Sequence, residues 1–114
     1  MGLVYKILGP EEWRAAESAG VFIGSEIDRR DGYIHLSDAA QAAETAAKWF
    51  AGRDGLVLVA VDADRLGGKL KWEPSRGGQL FPHLYAELSL AEVAWMRPLP
   101  LGADGRHIFP DLSV

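Results

Sequence analysis

Six consecutive apolar residues, Leu56 to Val61, lie between Asp54-Gly55 and Asp62. An uninterrupted run of that length, bounded by turn residues, predicts a central strand buried on both faces. Leu3 to Leu8 reads as a second strand through Val4, Tyr5, Ile7 and Leu8. Gly9-Pro10 then opens a helix, with Pro10 near its first position and Glu11 and Glu12 at the positive end of the dipole. Trp13, Ala16 and Glu17 follow at helical spacing, and Gly20 stops the helix. Val21-Phe22-Ile23 is a short extended piece entering a polar loop, Gly24 to Gly32. Tyr33 to Leu36 is the next strand. Ser37 or Asp38 caps an alanine-rich helix over Ala39 to Ala51, with Gln41 in capping-box position after Asp38 and Gly52 at the end. Trp49 and Phe50 are expected to anchor that helix on a sheet.

Later in the chain the pattern turns to short strands: Leu70 to Glu73, His83 to Leu88 and Val93 to Met96. Pro74-Ser75-Arg76-Gly77-Gly78 separates the first two as a mobile turn or flap, and Ser89 carries a small capping signal. Helices early and strands late predict an α+β domain with two helices in the N-terminal half, not a doubly wound sheet. The chain is expected to be a single domain, 1–114, with 97–114 as a proline- and glycine-rich tail docked on the surface.

Composition removes several functions. A net charge of -4 disfavours broad binding to nucleic acid, which needs a basic surface. Arg14, Arg29, Arg30, Arg53 and Arg76 still leave room for a local phosphate or dinucleotide pocket. The absence of cysteine excludes disulfides, thiol catalysis and cysteine-ligated zinc. The longest apolar run falls far short of the roughly 20 residues of a membrane helix. Met1 to Lys6 has no basic region followed by an apolar run, so a cytoplasmic location is expected. His35, His83 and His107 lack the short spacings of a zinc site, and no metal is expected. Gly77-Gly78 matches neither a P-loop nor a dinucleotide fingerprint, and Ser37 has no nucleophile-elbow pattern around it.

The chemistry concentrates in Gly32-Tyr33-Ile34-His35-Leu36-Ser37 and Phe81-Pro82-His83-Leu84-Tyr85. Each sets a histidine two positions before a hydroxyl residue, and in a strand such residues share a face. Neighbouring strands would then line one cleft with two imidazoles and two hydroxyls. His35 comes just before a helix start, where free N–H groups favour phosphate or carboxylate. An antiparallel hairpin of Leu70–Glu73 with His83–Leu88 would bring Glu73 to His83 or Tyr85, where a carboxylate orients an imidazole. Trp72 is the tryptophan best placed to line a pocket; Trp13, Trp49 and Trp95 read as core or half-core. Asp28-Arg29-Arg30-Asp31 reads as a solvated loop, its functional alternative being one arginine, such as Arg30, folded over a phosphate.

The ordered set Tyr5-Lys6-Ile7, Trp13, Gly24-Ser25, Asp31 to Ser37, Gln41, Thr45, Trp72-Glu73 and Phe81 to Tyr85 resembles the family called domain of unknown function 952. The resemblance extends to about Met96. It implies a distant relation to the ADP-ribosyltransferase fold, a split β-sheet that holds NAD in a cleft. On that relation His35-Leu36-Ser37 would contact the ribose on the nicotinamide side, and His83 would take the second-strand position. Histidine there is similar to the branch of RNA 2′-phosphotransferases, in which a 2′-phosphate attacks NAD and nicotinamide leaves. The late-strand glutamate of many transferases has no counterpart in a motif, Glu92 being merely nearby, and the two-histidine branch also lacks it. The chain is shorter than those phosphotransferases and has no separate basic RNA-binding half.

Three functions remain in competition. The first is an NAD-utilising enzyme of ADP-ribosyltransferase type, transferring ADP-ribose or acting on an RNA 2′-phosphate. His35, His83, Tyr85 and Glu73 would be catalytic, and His35, Leu36, Ser37, Arg30, Trp72 and Tyr85 would bind NAD. The second is a module binding a nucleotide or small metabolite without turnover. The third is a two-histidine phosphodiesterase, whose repeated His-apolar-Ser/Thr pattern fits at Ser37 and fails at Tyr85.

Overall fold

A computed structural model describes residues 2–112. Along the first half run β1 (Leu3–Leu8), α1 (Pro10–Ala19), β2 (Val21–Phe22), α2 (Glu26–Asp31), β3 (Ile34–His35) and α3 (Ala39–Trp49). The second half contributes β4 (Leu56–Asp62), α4 (Ala63–Leu66), β5 (Leu70–Pro74), β6 (Leu80–Leu84), β7 (Leu88–Ser89) and β8 (Val93–Leu99). The protein is an α+β domain of small antiparallel sheets. One has the order β1-β4-β8, another β3-β6-β5, and β2 pairs with β7 alone. A single antiparallel bridge joins the two larger sheets: the Tyr5 N–H donates to the Ser37 carbonyl at 2.8 Å, and the Ser37 N–H donates back to Tyr5 at 2.9 Å.

The apolar run at the centre behaves as its pattern requires. Val57, Val59 and Val61 of β4 enter one buried cluster with Val4, Trp13, Ile34, Leu36 and Leu84. Leu56, Leu58 and Ala60 enter a second with Tyr5, Ile7, Ala46 and Leu99. β4 is therefore sandwiched, with α1 supplying Trp13 and Ala16 to one side and α3 supplying Ala46 to the other. Reciprocal capping fixes where α3 starts. Asp38 accepts from the Gln41 N–H at 2.8 Å, and Gln41 Oε1 accepts from the Asp38 N–H at 3.0 Å. Asp38 is thus the N-cap, and Ser37 is not.

Several expectations change. The stretch from Gly24 to Gly32 is not all loop, because Ser25 caps α2 within it. The N-terminal half consequently holds three helices instead of two, and the short α4 follows β4. α3 ends at Trp49 with Phe50 as its cap; Trp49 is 61% exposed and anchors nothing, while Phe50 packs on the second cluster. β6 begins at Leu80, since Leu80 and Phe81 already pair with Pro74 and Glu73. The chain leaves that sheet after Leu84, so His83 to Leu88 is not one strand. β8 continues to Leu99, which pairs with Leu56 and takes the start of the expected tail into the sheet. Beyond it Phe109 and Leu112 pack on the second cluster, and His107 Nε2 donates to the Arg53 carbonyl at 2.7 Å. Ser75 N–H donates to the Gln79 carbonyl at 2.8 Å across the Pro74–Gly78 turn. Among the described residues no helix is long and apolar enough to cross a membrane.

Candidate functional site

Alternation along three strands builds the site. Ile34, Leu36 and Leu84 turn into the first core cluster, which leaves His35 and His83 on the other face of the β3-β6-β5 sheet. His35 and His83 are direct cross-strand partners, and Lys71 of β5 is the partner of His83 on its far side. The two imidazole centroids lie 5.6 Å apart at an interplanar angle of 70°. Tyr33 stacks on His83 at 4.1 Å and 27°, and its ring lies 4.6 Å from His35 and 5.2 Å from Tyr85.

Each histidine is held by a carboxylate. Asp28, on the inner side of α2, is 1% exposed. Its Oδ1 accepts from His35 Nδ1 at 2.6 Å and from the His35 backbone N–H at 3.1 Å. Its Oδ2 accepts from the Ser25 N–H at 2.9 Å and from Lys6 Nζ at 2.9 Å. Lys6 also donates to the His35 carbonyl at 3.0 Å, so both main-chain groups of His35 are gripped by one buried ion pair. Burial alone would push the Asp28 carboxyl up. The bond from His35, the charge of Lys6 and the Ser25 N–H more than reverse this and hold it well below the usual carboxylate range. Gly24 lets the chain pass over Asp28: its φ is +105°, and an added Cβ would meet Asp28 Cβ at 3.0 Å.

Asp31, one turn further along α2, reaches the other nitrogen of His35, with Nε2 and Oδ2 3.0 Å apart. Carboxylates only accept, so both bonds are made together only while both ring nitrogens carry a proton. His83 is arranged differently. Its Nδ1 donates to Glu73 Oε1 at 2.8 Å, and no carboxylate meets its Nε2 among the described residues. Tyr85 donates to the same Oε1 at 2.7 Å. Those two donors, Tyr85 first, lower the Glu73 pKa, and Glu73 in turn pushes the Tyr85 phenol up to about 12. Tyr33 is also raised, by burial first and then by Asp31, Glu73 and Asp28. A groove of about 330 Å³ opens beside the pair between Ile23, Arg29, Tyr33, Tyr85 and Glu87.

His35, His83, Tyr85 and Glu73 therefore share one face, and the antiparallel β5–β6 hairpin puts Glu73 against both His83 and Tyr85. The remaining candidates are dispersed. Leu36 is 2% exposed and lies in the core. Ser37 is buried, and its hydroxyl bonds Thr45 of α3 at 2.9 Å, away from the imidazoles. Trp72 lies on the opposite face of the sheet, where it lines a cavity of about 680 Å³ with Leu3, Asp38, Ala39 and Leu70. Arg30 points to solvent and pairs with Asp31 at 3.2 Å. Arg53 lies over the Phe50 ring at 5.2 Å, and the side chain of Arg76 is outside the described residues. Among the described residues no cluster of three His, Asp or Glu is placed to hold a metal ion.

Lys6, Asp28, Asp31 and Tyr33 are the functional candidates that the sequence left unassigned. One signal was available: Ser25 and Asp28 have capping-box spacing, which marks a helix start.

Fold and site together define a small α+β domain in which two carboxylate-oriented histidines and two tyrosines cluster on one sheet face, His83 being buried beneath the Tyr33 ring. The chain belongs to the family described as protein of unknown function (DUF952), whose model matches residues 7–96. It is 56% identical to protein CC0527 from Caulobacter crescentus, whose X-ray structure matches with a TM-score of 0.89 over 93% of both chains. The solution NMR structure of CC0527 matches at 57% identity and a TM-score of 0.85, over 93% of this chain and 91% of that one. No curated protein matches the chain.

Proposed function

We propose that the face carrying His35 and His83 binds a nucleotide, with NAD the first candidate, in an enzyme site of ADP-ribosyltransferase type. The observation that carries this reading is the direct pairing of His35 with His83, centroids 5.6 Å apart, beside an open groove. Two three-stranded antiparallel sheets meeting at one bridge support the split-sheet expectation. The residues fit such a ligand in kind: Tyr33 and Tyr85 offer ring faces for a flat, cationic nicotinamide, and Glu73 offers a carboxylate beside it.

NAD, when bound, supplies a ribose carbon from which nicotinamide can depart. Tyr33 and Tyr85 hold the ring end. Glu73 keeps His83 in the tautomer whose Nε2 takes a proton from an acceptor hydroxyl or phosphate. His35 is held at the base of the face by Asp28, Asp31 and Lys6. Ser37 has no part in this arrangement, because its hydroxyl is committed to Thr45. That commitment, with the Tyr85 hydroxyl held by Glu73, also removes support from a two-histidine phosphodiesterase, which needs both hydroxyls on the phosphate.

A second reading, binding without turnover, is favoured by one observation: both ring nitrogens of His35 are bonded within the protein. Recovery of unchanged NAD after prolonged incubation with candidate acceptors would select it. Thermal unfolding with NAD, ADP-ribose and nicotinamide tests the shared premise. A ligand at 100 times its Kd adds about 2.7 kcal/mol, which raises Tm by roughly 10 °C in a domain of this size. The shift should vanish in Tyr85→Ala, whose side chain is exposed enough for the fold to survive. No shift with any of the three ligands overturns the reading.

A further inference from the structure

The row His35–His83–Lys71 crosses three adjacent strands in direct register. Directly opposed residues of an antiparallel pair stand about 5 Å apart, and all three side chains share one face. They are not equivalent electrostatically. His35 faces Asp28 and Asp31, and His83 faces Glu73. Lys71 has no carboxylate within ion-pair distance among the described residues, although its charge is felt at Glu73. Its ammonium lies over the Tyr85 ring, 5.8 Å from the centroid.

From this placement we infer that Lys71 is the anion-binding residue of the site, taking the diphosphate of a nucleotide whose ring end lies on Tyr33 and Tyr85. The inference rests on the nucleotide reading and adds to it the residue that recognises phosphate. His35 is matched by Asp28 and Asp31 and His83 by Glu73, so within the row an incoming anion finds an ammonium outside an ion pair only at the β5 end. An ammonium is a compact charge that meets phosphate without a fixed fork. Its position over Tyr85 ties phosphate recognition to ring recognition.

Calorimetric titration of the wild type and Lys71→Gln with ADP-ribose, inorganic pyrophosphate and nicotinamide tests the assignment. Lys71 is exposed on an outer strand, so the variant should keep its Tm. Losing a charged hydrogen bond should weaken ADP-ribose and pyrophosphate about tenfold or more, leave nicotinamide unchanged and flatten the salt dependence. Equal ADP-ribose affinity in the two proteins overturns the Lys71 assignment alone. Pyrophosphate binding that depends on Lys71, without any ADP-ribose binding, supports the anion site and overturns the nucleotide reading. A wild type that binds none of the three overturns both.

Discussion

Replacing Asp28 with Asn keeps the shape of the side chain and removes its charge, so it isolates what the buried carboxylate does. Asp28 is 1% exposed and Lys6 is 9% exposed. Oδ1 accepts from the His35 N–H and His35 Nδ1, and Oδ2 from the Ser25 N–H and Lys6 Nζ. Whichever way the new amide turns, its NH₂ meets a donor that needs an acceptor, and Lys6, still bonded to the His35 carbonyl, loses its carboxylate. Removing one member of a buried pair costs about 3–5 kcal/mol. In a domain of this size that lowers Tm by roughly 12–20 °C. Urea titration at a series of pH values is the assay. The Asp28 pKa is lowered in the folded protein, so its contribution is fully present above the unfolded value, about 3.9. It is lost as pH falls toward the folded value. The gap between wild type and variant should be constant from neutral pH to about pH 5 and shrink below about pH 4. Adding Lys6→Met should recover part of the loss, giving a double variant more stable than the sum of the single effects. A loss below about 1 kcal/mol, or a gap that widens on acidification, would refute the reasoning.

Three further outcomes follow from the same geometry. Glu73→Gln weakens the hydrogen bond and removes the charge by which Glu73, with burial, raises the Tyr85 phenol to about 12, so an ultraviolet titration of tyrosinate should show Tyr85 ionising at lower pH; an unmoved titration would contradict the Glu73–Tyr85 bond. Gly24→Ala places a Cβ 3.0 Å from Asp28 Cβ at φ +105°, and should destabilise by about 1–3 kcal/mol in urea, with a shifted His35 ring signal in NMR. Ser37→Ala should cost about 1 kcal/mol through the lost Thr45 bond while leaving ligand affinity unchanged, which calorimetry would check.

The sequence showed most where its pattern was long or its partners local. The six-residue apolar run became the sandwiched β4, and Asp38 with Gln41 capped α3 as their spacing required. Glu73, His83 and Tyr85 met because one hairpin joins them, and a hairpin brings nearby positions together without help from the rest of the fold. α2 was hidden because six residues are too few for helical periodicity, and because Asp28-Arg29-Arg30-Asp31 carries the charge of a solvated loop. Tertiary partners make Asp28 a buried group: Lys6, 22 residues before it, and His35, seven after it. Strand alternation placed Ser37 with His35. β3, however, ends at His35, and the next residues cross to β1, where the serine hydroxyl meets α3 instead. Trp72 was expected to line a pocket as an NAD-binding residue; it does line a cavity, but it sits one residue out of phase with Lys71 and Glu73 and so faces the side of the sheet away from the histidines.

A ¹⁵N-edited NMR titration with NAD, following the backbone signals of Tyr33, His35, His83 and Tyr85 and the ring nitrogens of the two histidines, tests the nucleotide face head-on. Saturable shifts are expected on that face and around the groove at Ile23 and Glu87, with the cavity at Trp72 and Ala39 undisturbed. Shifts confined to the Trp72 cavity, or none at millimolar NAD, would contradict the nucleotide reading.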